Sequence, residues 1–331
     1  MSVYVIAEAG VNHNGRLDLA LKLCDAAKEA GVDAVKFQTW KTERIVTKSA
    51  AQAAYQKENT GCDQSQYEML KELELGYPDF EKINDYCKKI GVQFLSTPDE
   101  EESLEFLCSM NLPFIKIGSG EVTNIPYLRE IGSKHQKVVL STGMSTLADV
   151  EKAYDTLIGS GAPEVALLHC TTNYPCPYDE VNLLAMQTMK AAFKCQVGYS
   201  DHTMGIEVPI AAVAMGAEII EKHFTLDRTM DGPDHQASLE PQELKQMVQS
   251  IRNIENALGD GIKRPNASEK ANSEVVLKRM IAKSPIKKGD ILSSDNIALL
   301  RSSEGIPAKF WDLVAGKISK KDYQIDEPIE L

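Results

Sequence analysis

Three histidines and several carboxylates lie close together in one stretch of the chain, residues 198–238. The stretch begins GYSDHTMG and ends EKHFTLDRTMDGPDHQAS, and its histidines are His202, His223 and His235. Imidazole nitrogens and carboxylate oxygens are common ligands of divalent cations, so these residues could form a metal site. They could equally be packed or hydrogen-bonded histidines, because no HExxH or similar motif fixes their spacing.

A second group of residues suits an anion. Lys36 and Lys116 supply positive charge, and the glycine-rich sequences KIGSGE (116–121) and STGM (141–144) let backbone N–H groups approach phosphate or carboxylate oxygens. A lysine about 4 Å from a phosphate oxygen gains on the order of 4 kcal/mol at an effective dielectric constant of 20, before desolvation. These residues indicate a site for a phosphate or phospho-carboxylate, although each lysine alone could be solvated or structural.

The elements that must position these residues alternate between short apolar segments and longer amphipathic ones, which is typical of βαβ units on a parallel sheet. The predicted strands span residues 4–9, 34–38, 93–97, 114–117, 138–141, 165–169, 196–199 and 219–223. Eight such units predict an α/β fold, a (β/α)₈ TIM barrel. A doubly wound open sheet is the alternative, but it usually has a glycine-rich first turn, and no GxGxxG follows the first strand.

In such a barrel, the residues at the carboxyl ends of the strands face the active site. Each predicted strand has polar residues there: Glu8; Lys36 and Gln38; Thr97; Lys116 and Ser119; Ser141 and Thr142; Asn173; Ser200 and His202; Glu221 and His223. The pattern predicts a functional barrel mouth. His202 and His223 end neighbouring strands, so they can share one cation, and Glu221 could orient a bound water or act as a base.

The rest of the chain is organised around this barrel. The barrel is predicted over residues 1–260, followed by a polar linker (261–274) and a small β domain (275–331). About 55 residues bury too little surface to be securely stable alone, so we expect this domain to pack on a barrel, its own or a neighbour's. A long polar insertion, 39–77, either shapes a substrate pocket or forms a solvated surface excursion.

The composition limits the partners and the compartment. The net charge of −12 argues against nucleic acid and anionic membranes, while leaving a small anionic substrate possible because salt screens distant charges. Seven cysteines without a CxxC pair predict reduced thiols. No targeting leader or membrane-spanning run is present in the sequence, and we therefore expect a soluble, cytoplasmic protein.

Taken together, the motifs resemble the sialic acid synthase family. They are, in order, IAEAGVNHNG, VKFQTW, STPDE, KIGSGE, STGM, HCTTNYP, GYSDHT and EKHFTLD, and the tail (IKKGD, GI, GK) is similar to that family's C-terminal antifreeze-like (SAF) domain. The resemblance covers the whole chain. It implies a transferase that condenses phosphoenolpyruvate with an N-acetylated hexosamine and water to make a nonulosonic acid, releasing phosphate by C–O cleavage.

The resemblance also implies roles for individual residues. Those that match phosphoenolpyruvate contacts are Lys36, Thr97, Lys116, Ser119, Ser141, Asn173 and Ser200. His202 and His223 match divalent-metal ligands, for Mn²⁺ with Mg²⁺ or Co²⁺ as alternatives. These two histidines, Glu8 and Glu221 are the candidate catalytic residues.

On the sugar side, the matching residues are Glu8, Gln38, Glu221 and Asp234. Arg301 matches an arginine that the tail domain of one subunit sends into the partner's site, which implies a domain-swapped homodimer. Here Arg301 is followed by two serines, Ser302 and Ser303, whereas the family's usual context is KRPG.

There are alternatives for the acceptor sugar and for the class of reaction. Phe37 and the run GPDHQASLEP favour 2,4-diacetamido-2,4,6-trideoxymannose, giving N,N′-diacetyllegionaminate. N-acetylmannosamine is the alternative acceptor, because animal-type N-acetylneuraminate synthases share KFQ and ASLEP. A Schiff-base aldolase with lysines at its strand ends, or a non-catalytic sugar-binding protein, would have to be excluded by experiment.

Overall fold

The structure is a computed structural model that describes residues 2–53, 56–57 and 64–330. It divides into two compact units, the first ending at Gly259 and the second beginning at Asp260. The larger unit is an eight-stranded parallel sheet with helices around it.

The strands of the first unit follow the predicted segments closely. They are β1 (Tyr4–Gly10), β2 (Ala34–Thr39), β3 (Gln93–Pro98), β4 (Ile115–Ile117), β5 (Val138–Ser141), β6 (Val165–His169), β7 (Val197–Asp201) and β8 (Ile219–His223). Their hydrogen-bonded order is β3-β2-β1-β8-β7-β6-β5-β4, so β1 pairs with β8 as well as with β2. The two end strands, β3 and β4, lie beside each other. The predicted (β/α)₈ barrel is thereby confirmed.

The helices of this unit alternate with the strands along the chain. They are α1 (Leu17–Ala30), α2 (Thr42–Ile45), α3 (Gln66–Leu73), α4 (Tyr77–Ile90), α5 (Glu101–Ser109), α6 (Ile125–Ser133), α7 (Leu147–Gly159), α8 (Leu184–Phe193), α9 (Glu207–Ala214) and α10 (Pro241–Leu258). Gly31 and Gly91 end α1 and α4 in the left-handed conformation, with φ of 81° and 75°. Glycine adopts this conformation without the strain that a Cβ atom would add, so both helices end at a residue suited to it.

The barrel interior has an apolar layer below a polar one. The apolar layer consists of Ile6, Ala34, Leu95, Val139, Ala166, Leu168 and Ile219. Because side chains alternate along a strand, the residues two positions further on share the same face. Those residues include Glu8, Lys36, Thr97, Ser141 and Glu221, and all five are buried. The polar residues are therefore held on the floor of the barrel mouth by a packed layer beneath them.

The insertion after β2 includes helices α2 and α3. Ser65 and Glu68 form a capping box that starts α3. Met69 and Leu73 of α3 pack in a small apolar cluster with Val11 and Trp40. The insertion is therefore anchored on the loops that follow β1 and β2, at the mouth end of the barrel.

The second unit contains a two-stranded antiparallel sheet, β9 (Lys278–Ala282) with β10 (Ile297–Arg301), and two helices, α11 (Ala267–Val276) and α12 (Trp311–Val314). It has its own core, which includes Met280, Ile286, Val314, Tyr323 and Ile329. Helix α11 lies mostly in the stretch predicted as a linker. Its start is a capping box in which Asn266 and Glu269 each bond the other's backbone, a signal that the polar composition conceals.

Two expectations about the whole chain can be set against the described residues. Six cysteines are free thiols, and Cys62 lies outside the described residues. Among the described helices, none is long and apolar enough to cross a membrane.

Candidate active site at the barrel mouth

Four charged residues meet at the centre of the barrel mouth. The Lys36 ammonium lies 2.7 Å from the Glu8 carboxylate and donates to Thr97 Oγ1 at 2.9 Å. The Lys116 ammonium lies 3.4 Å from Glu221 Oε1, and Lys36 lies 3.8 Å from the other oxygen of Glu221. Since all of these side chains are buried, the two lysines and two glutamates form a charged cluster shielded from water. The sequence places these residues at strand ends, and the structure brings them into contact.

The charges within the cluster are unequal. Burial raises the pKa of Glu8 to about 8 against the opposing effect of Lys36. Burial also opposes ionisation of Glu221, but the charges of Lys116 and Lys36 outweigh it and hold the Glu221 pKa at about 2. For Lys36, Glu221 and Glu8 overcome the effect of burial and raise its pKa, whereas burial lowers the pKa of Lys116. The ammonium groups of Lys36 and Lys116, which face these two carboxyl groups, are positive groups in the mouth that an anionic ligand can approach.

Hydroxyl groups surround the two lysines. Lys116 donates to Ser141 Oγ at 2.8 Å, and Ser200 donates to Glu221 at 3.0 Å. Ser119 Oγ accepts the backbone N–H of Gly143 at 2.9 Å. A Cβ at Gly143 would lie 2.2 Å from Thr172 Oγ1 and 2.9 Å from Ser119 Oγ, so only glycine permits this approach of the loops after β4, β5 and β6. Hydroxyls and an exposed-backbone turn beside two ammonium groups suit phosphate and carboxylate oxygens.

His202 and His223 lie side by side, with ring centroids 5.4 Å apart. Burial lowers the pKa of both imidazoles, which favours the neutral form that binds metals. The Nδ1 of His202 lies 2.6 Å from the carbonyl oxygen of Thr171, so it donates there and leaves Nε2 as the free lone pair. His223 Nδ1 is buried and lacks a hydrogen-bond partner among the described residues, with an Asp234 carboxylate oxygen 3.8 Å away.

These two imidazoles fit a divalent cation only with help from ligands outside the protein. Across the described ranges, no group of three or more His, Cys, Asp or Glu side chains is arranged around a single point. Two neutral histidines with water or substrate oxygens in the remaining positions form an open site of the kind that catalysis uses. The unpartnered, buried nitrogen of His223 is the observation that favours such an ion.

Tyr174 is a site residue that the sequence reasoning missed. Its ring lies 4.1 Å from the His202 ring and 5.5 Å from the His223 ring, measured between centroids. Tyr174 follows the predicted Asn173 in the loop after β6, where no strand periodicity indicates which side chain faces the mouth. The motif HCTTNYP was the available signal, because it continues beyond the strand.

The predicted sugar-side residues are only partly brought together. Gln38 donates to Glu8 at a long 3.5 Å, and Asp234 is buried beside His223, with its pKa raised to about 6 by burial. Arg301 is exposed at the end of β10 in the second unit. Asn173 is half-buried next to Tyr174.

A surface cavity of about 430 Å³ lies between the loop after β1, helix α3 and the loop after β8. Asn14, Met69, Glu72, Asp231 and Pro233 are among its lining residues. Because Met69 and Glu72 belong to the insertion, the insertion does contribute to a pocket wall near Asp234.

His235 is held by protein groups alone. Its Nδ1 lies 2.7 Å from Thr225 Oγ1 and its Nε2 lies 3.0 Å from Asn14 Oδ1, so both ring nitrogens are engaged. The bond to Asn14 crosses between two loops. It ties the loop that carries Asp234 to the loop after β1.

Buried His13, in that same loop after β1, gives a testable pH dependence. Gly15 N–H donates to its Nδ1 at 3.1 Å, and burial lowers its pKa to about 4. In the unfolded chain the His13 imidazole is protonated below about pH 6.5, whereas in the folded chain it is protonated only below about pH 4. The free energy of unfolding should therefore fall as the pH falls from 6.5 to 4. In His13→Asn the slope of the free energy of unfolding against pH should shrink by about 1.4 kcal/mol per pH unit, as measured by urea unfolding at pH 7, 6 and 5. An unchanged slope would contradict the assignment.

Comparison with known proteins places this geometry in a family. Residues 23–263 match the NeuB family and residues 280–331 match the SAF domain. The N,N'-diacetyllegionaminic acid synthase of Campylobacter jejuni is 49% identical over 327 residues, which cover 98% of each chain. The Legionella pneumophila protein of the same name is 46% identical over 324 residues, covering 96% of this chain and 91% of that one.

A solved structure agrees with this relationship. The N-acetylneuraminic acid (sialic acid) synthetase of Leptospira borgpetersenii, crystallised with citrate, superposes with a TM-score of 0.72 at 36% identity, covering 83% of this chain and 91% of that chain. The family match spans most of the barrel, and the relatives match along nearly the whole chain. The chain therefore belongs to the NeuB family of sialic acid synthases and ends in a SAF domain.

Proposed function

We propose that this enzyme condenses phosphoenolpyruvate with 2,4-diacetamido-2,4,6-trideoxymannose and water, forming N,N′-diacetyllegionaminate and inorganic phosphate. The observation that carries the proposal is the buried cluster of Lys36, Lys116, Glu8 and Glu221 beside a pair of neutral histidines. The relatives named as N,N'-diacetyllegionaminic acid synthases are more similar to this chain than the N-acetylneuraminic acid synthetase is, which favours the diacetamido acceptor.

In the reaction, carbon 3 of phosphoenolpyruvate forms a bond to the aldehyde carbon of the open-chain sugar. Water adds to carbon 2, and the bond between carbon 2 and the bridging oxygen breaks, so that this oxygen leaves with phosphate. Lys36 with Thr97, and Lys116 with Ser141, hold the phosphate and carboxylate while charge moves between them. Glu221 is already ionised between the lysines and can hold a proton-donating water or sugar hydroxyl.

We assign the metal to His202 and His223, with Mn²⁺ as the expected ion and Mg²⁺ or Co²⁺ as alternatives. A bound divalent cation would supply Lewis-acid polarisation of the sugar aldehyde. His202 presents Nε2 because its Nδ1 is committed to Thr171, and Tyr174 packs against both rings and limits their rotation. On the sugar side, Glu8, Gln38 and Asp234 provide hydrogen-bonding groups.

We further propose a cytoplasmic homodimer in which the SAF domain of one subunit completes the partner's site with Arg301. Exposed apolar side chains in the second unit, including Ile291, Leu313 and Ile318, support burial against another surface. Light scattering after gel filtration should give twice the mass of one chain. Activity restored on mixing an Arg301→Ala subunit with a barrel-inactive His223→Ala subunit would identify exchange between subunits.

One assay tests the reaction. Phosphate release from phosphoenolpyruvate should depend on 2,4-diacetamido-2,4,6-trideoxymannose, stop in a chelator and return with Mn²⁺. Phosphoenolpyruvate labelled with ¹⁸O at the bridging position should deliver the label to phosphate. Preference for N-acetylmannosamine would make the chain an N-acetylneuraminate synthase instead. Inactivation by borohydride with substrate would indicate a Schiff-base aldolase, and no phosphate release with either sugar would leave a sugar-binding protein.

A further inference from the structure

A second buried ion pair lies behind the two histidines, outside the lumen of the barrel. The Lys222 ammonium is 2.5 Å from the Asp201 carboxylate, and both side chains are fully shielded from solvent. Ser200 and Glu221, their neighbours in sequence, bond each other within the mouth. Because side chains alternate along a strand, Asp201 and Lys222 point to the opposite face, towards the helices.

The ion pair spans the point where strand pairing stops. The last register pair of β7 with β8 is Asp201 with Lys222, so His202 and His223 each lie one residue beyond it. Lys222 also donates to the carbonyl oxygen of Thr203. Thr203 in turn donates its N–H and its hydroxyl to Asp201, at 3.1 and 3.0 Å. Lys222 therefore binds the residues on both sides of His202 while it directly precedes His223.

Stability alone does not account for such a pair. Two buried charges lose their hydration, and replacing a buried ion pair with apolar residues of similar volume is often neutral or stabilising. What the ion pair adds is direction, because Lys222 bonds both Asp201 and the Thr203 carbonyl, and each carboxylate oxygen of Asp201 accepts from an identified atom of the chain. The atoms fixed in this way belong to the backbone segments that carry His202 and His223.

We propose that Lys222 and Asp201 are positioning residues that hold the imidazoles of His202 and His223 at the spacing required by one shared divalent cation. The proposal rests on the metal assignment in the proposed function. It predicts that the network can be removed with the fold retained but metal affinity lost. A residue with only a structural role would change stability and leave the affinity of the folded protein as it was.

The decisive variant is the double substitution Asp201→Asn/Lys222→Met, which removes both charges together and so leaves no unpaired ion in the interior. Its Kd for Mn²⁺, measured on metal-stripped protein from the electron paramagnetic resonance signal of free Mn²⁺, should rise about 10- to 100-fold, the range seen when groups that orient metal ligands are lost. The single variant Lys222→Met should show the same change if it folds. Thermal unfolding reports stability in parallel.

The matched control is Arg252→Met, which breaks the pair between Arg252 and Asp33 (2.8 Å) before β2, at the opposite end of the strands. It should lower Tm and leave the Kd for Mn²⁺ within twofold of that of the wild type. A double variant that binds Mn²⁺ as the wild type does would overturn the positioning role and leave the proposed function standing. If the wild type binds no Mn²⁺, the metal assignment fails and the positioning role fails with it.

A measurement made without metal further distinguishes a positioning role from a purely structural one. In the wild type, nitrogen-15 chemical shifts of the imidazoles should show His202 protonated at Nδ1, as its contact with Thr171 requires. In the double variant this single tautomer should give way to a mixture, because the backbone that aims the ring at Thr171 is no longer fixed. The same single tautomer in both proteins would count against the proposal.

Discussion

Lys116→Met should weaken binding of phosphoenolpyruvate by roughly 150-fold, because the variant loses one of the two buried cations in the mouth. Removing one partner of a buried, hydrogen-bonded charge pair costs about 2–5 kcal/mol, and about 3 kcal/mol corresponds to that change in Kd. Lys116 is 2% exposed and bonds Ser141, so an arriving phosphate or carboxylate meets an ammonium already oriented by the protein. Titration calorimetry with phosphoenolpyruvate alone measures the effect without requiring turnover.

The fold should tolerate this change. In Lys116→Met, the Glu221 carboxylate should retain its hydrogen bond from Ser200 (3.0 Å) and the nearby Lys36 ammonium (3.8 Å). Its negative charge therefore still has a donor and a cation close by. The lowered pKa of Lys116 means that burial disfavours its charged form in the absence of a ligand. We therefore expect a small change in Tm beside a large change in Kd. Lys190→Met, which removes an exposed lysine paired with Glu218, is the control for net charge. A Kd within threefold of that of the wild type in Lys116→Met would refute the role.

Much of this site could be predicted from the strand pattern, because a parallel barrel collects its strand ends at one face. The contact of Lys36 with Glu8 follows directly, since the two residues are register partners on β1 and β2. Lys116 approaches Glu221 across the barrel, from β4 to β8, and the spacing of residues along the chain does not predict this contact. Nor does the sequence show that Glu8 and Glu221 should have pKa values on opposite sides of the ordinary value, because that depends on burial and on both lysines at once.

Loops limited the prediction more than strands did. Tyr174 contacts both histidines from a loop whose path is set by tertiary contacts, and α11 begins at a capping box within a segment of polar composition. The ion pair of Asp201 and Lys222 was hidden for a different reason. Both residues lie within the motifs GYSDHT and EKHFTLD, and the family resemblance implies roles for the neighbouring histidines but none for Asp201 or Lys222.

His223→Ala should lower metal-dependent turnover by about 1,000-fold or more, the largest effect expected at this site. Polarisation of a carbonyl by a metal contributes several kcal/mol, and about 4 kcal/mol corresponds to 1,000-fold in rate. With His223 removed, His202 is the one remaining imidazole of the pair, and a single neutral ligand holds a divalent cation weakly. Added Mn²⁺ should not restore the variant, whereas it should restore chelator-treated wild type.

Binding separates this variant from Lys116→Met. The lysines and hydroxyls proposed to hold phosphoenolpyruvate are intact in His223→Ala, so its Kd for phosphoenolpyruvate should stay near the wild-type value while turnover is lost. His135→Ala is the matched control, because His135 is exposed before β5 and its removal should leave both quantities unchanged. Full Mn²⁺-dependent turnover in His223→Ala would remove His223 from the metal site. Loss of phosphoenolpyruvate affinity together with turnover would instead indicate that the buried cluster and the histidines fold as one unit, since Glu221 and His223 share strand β8.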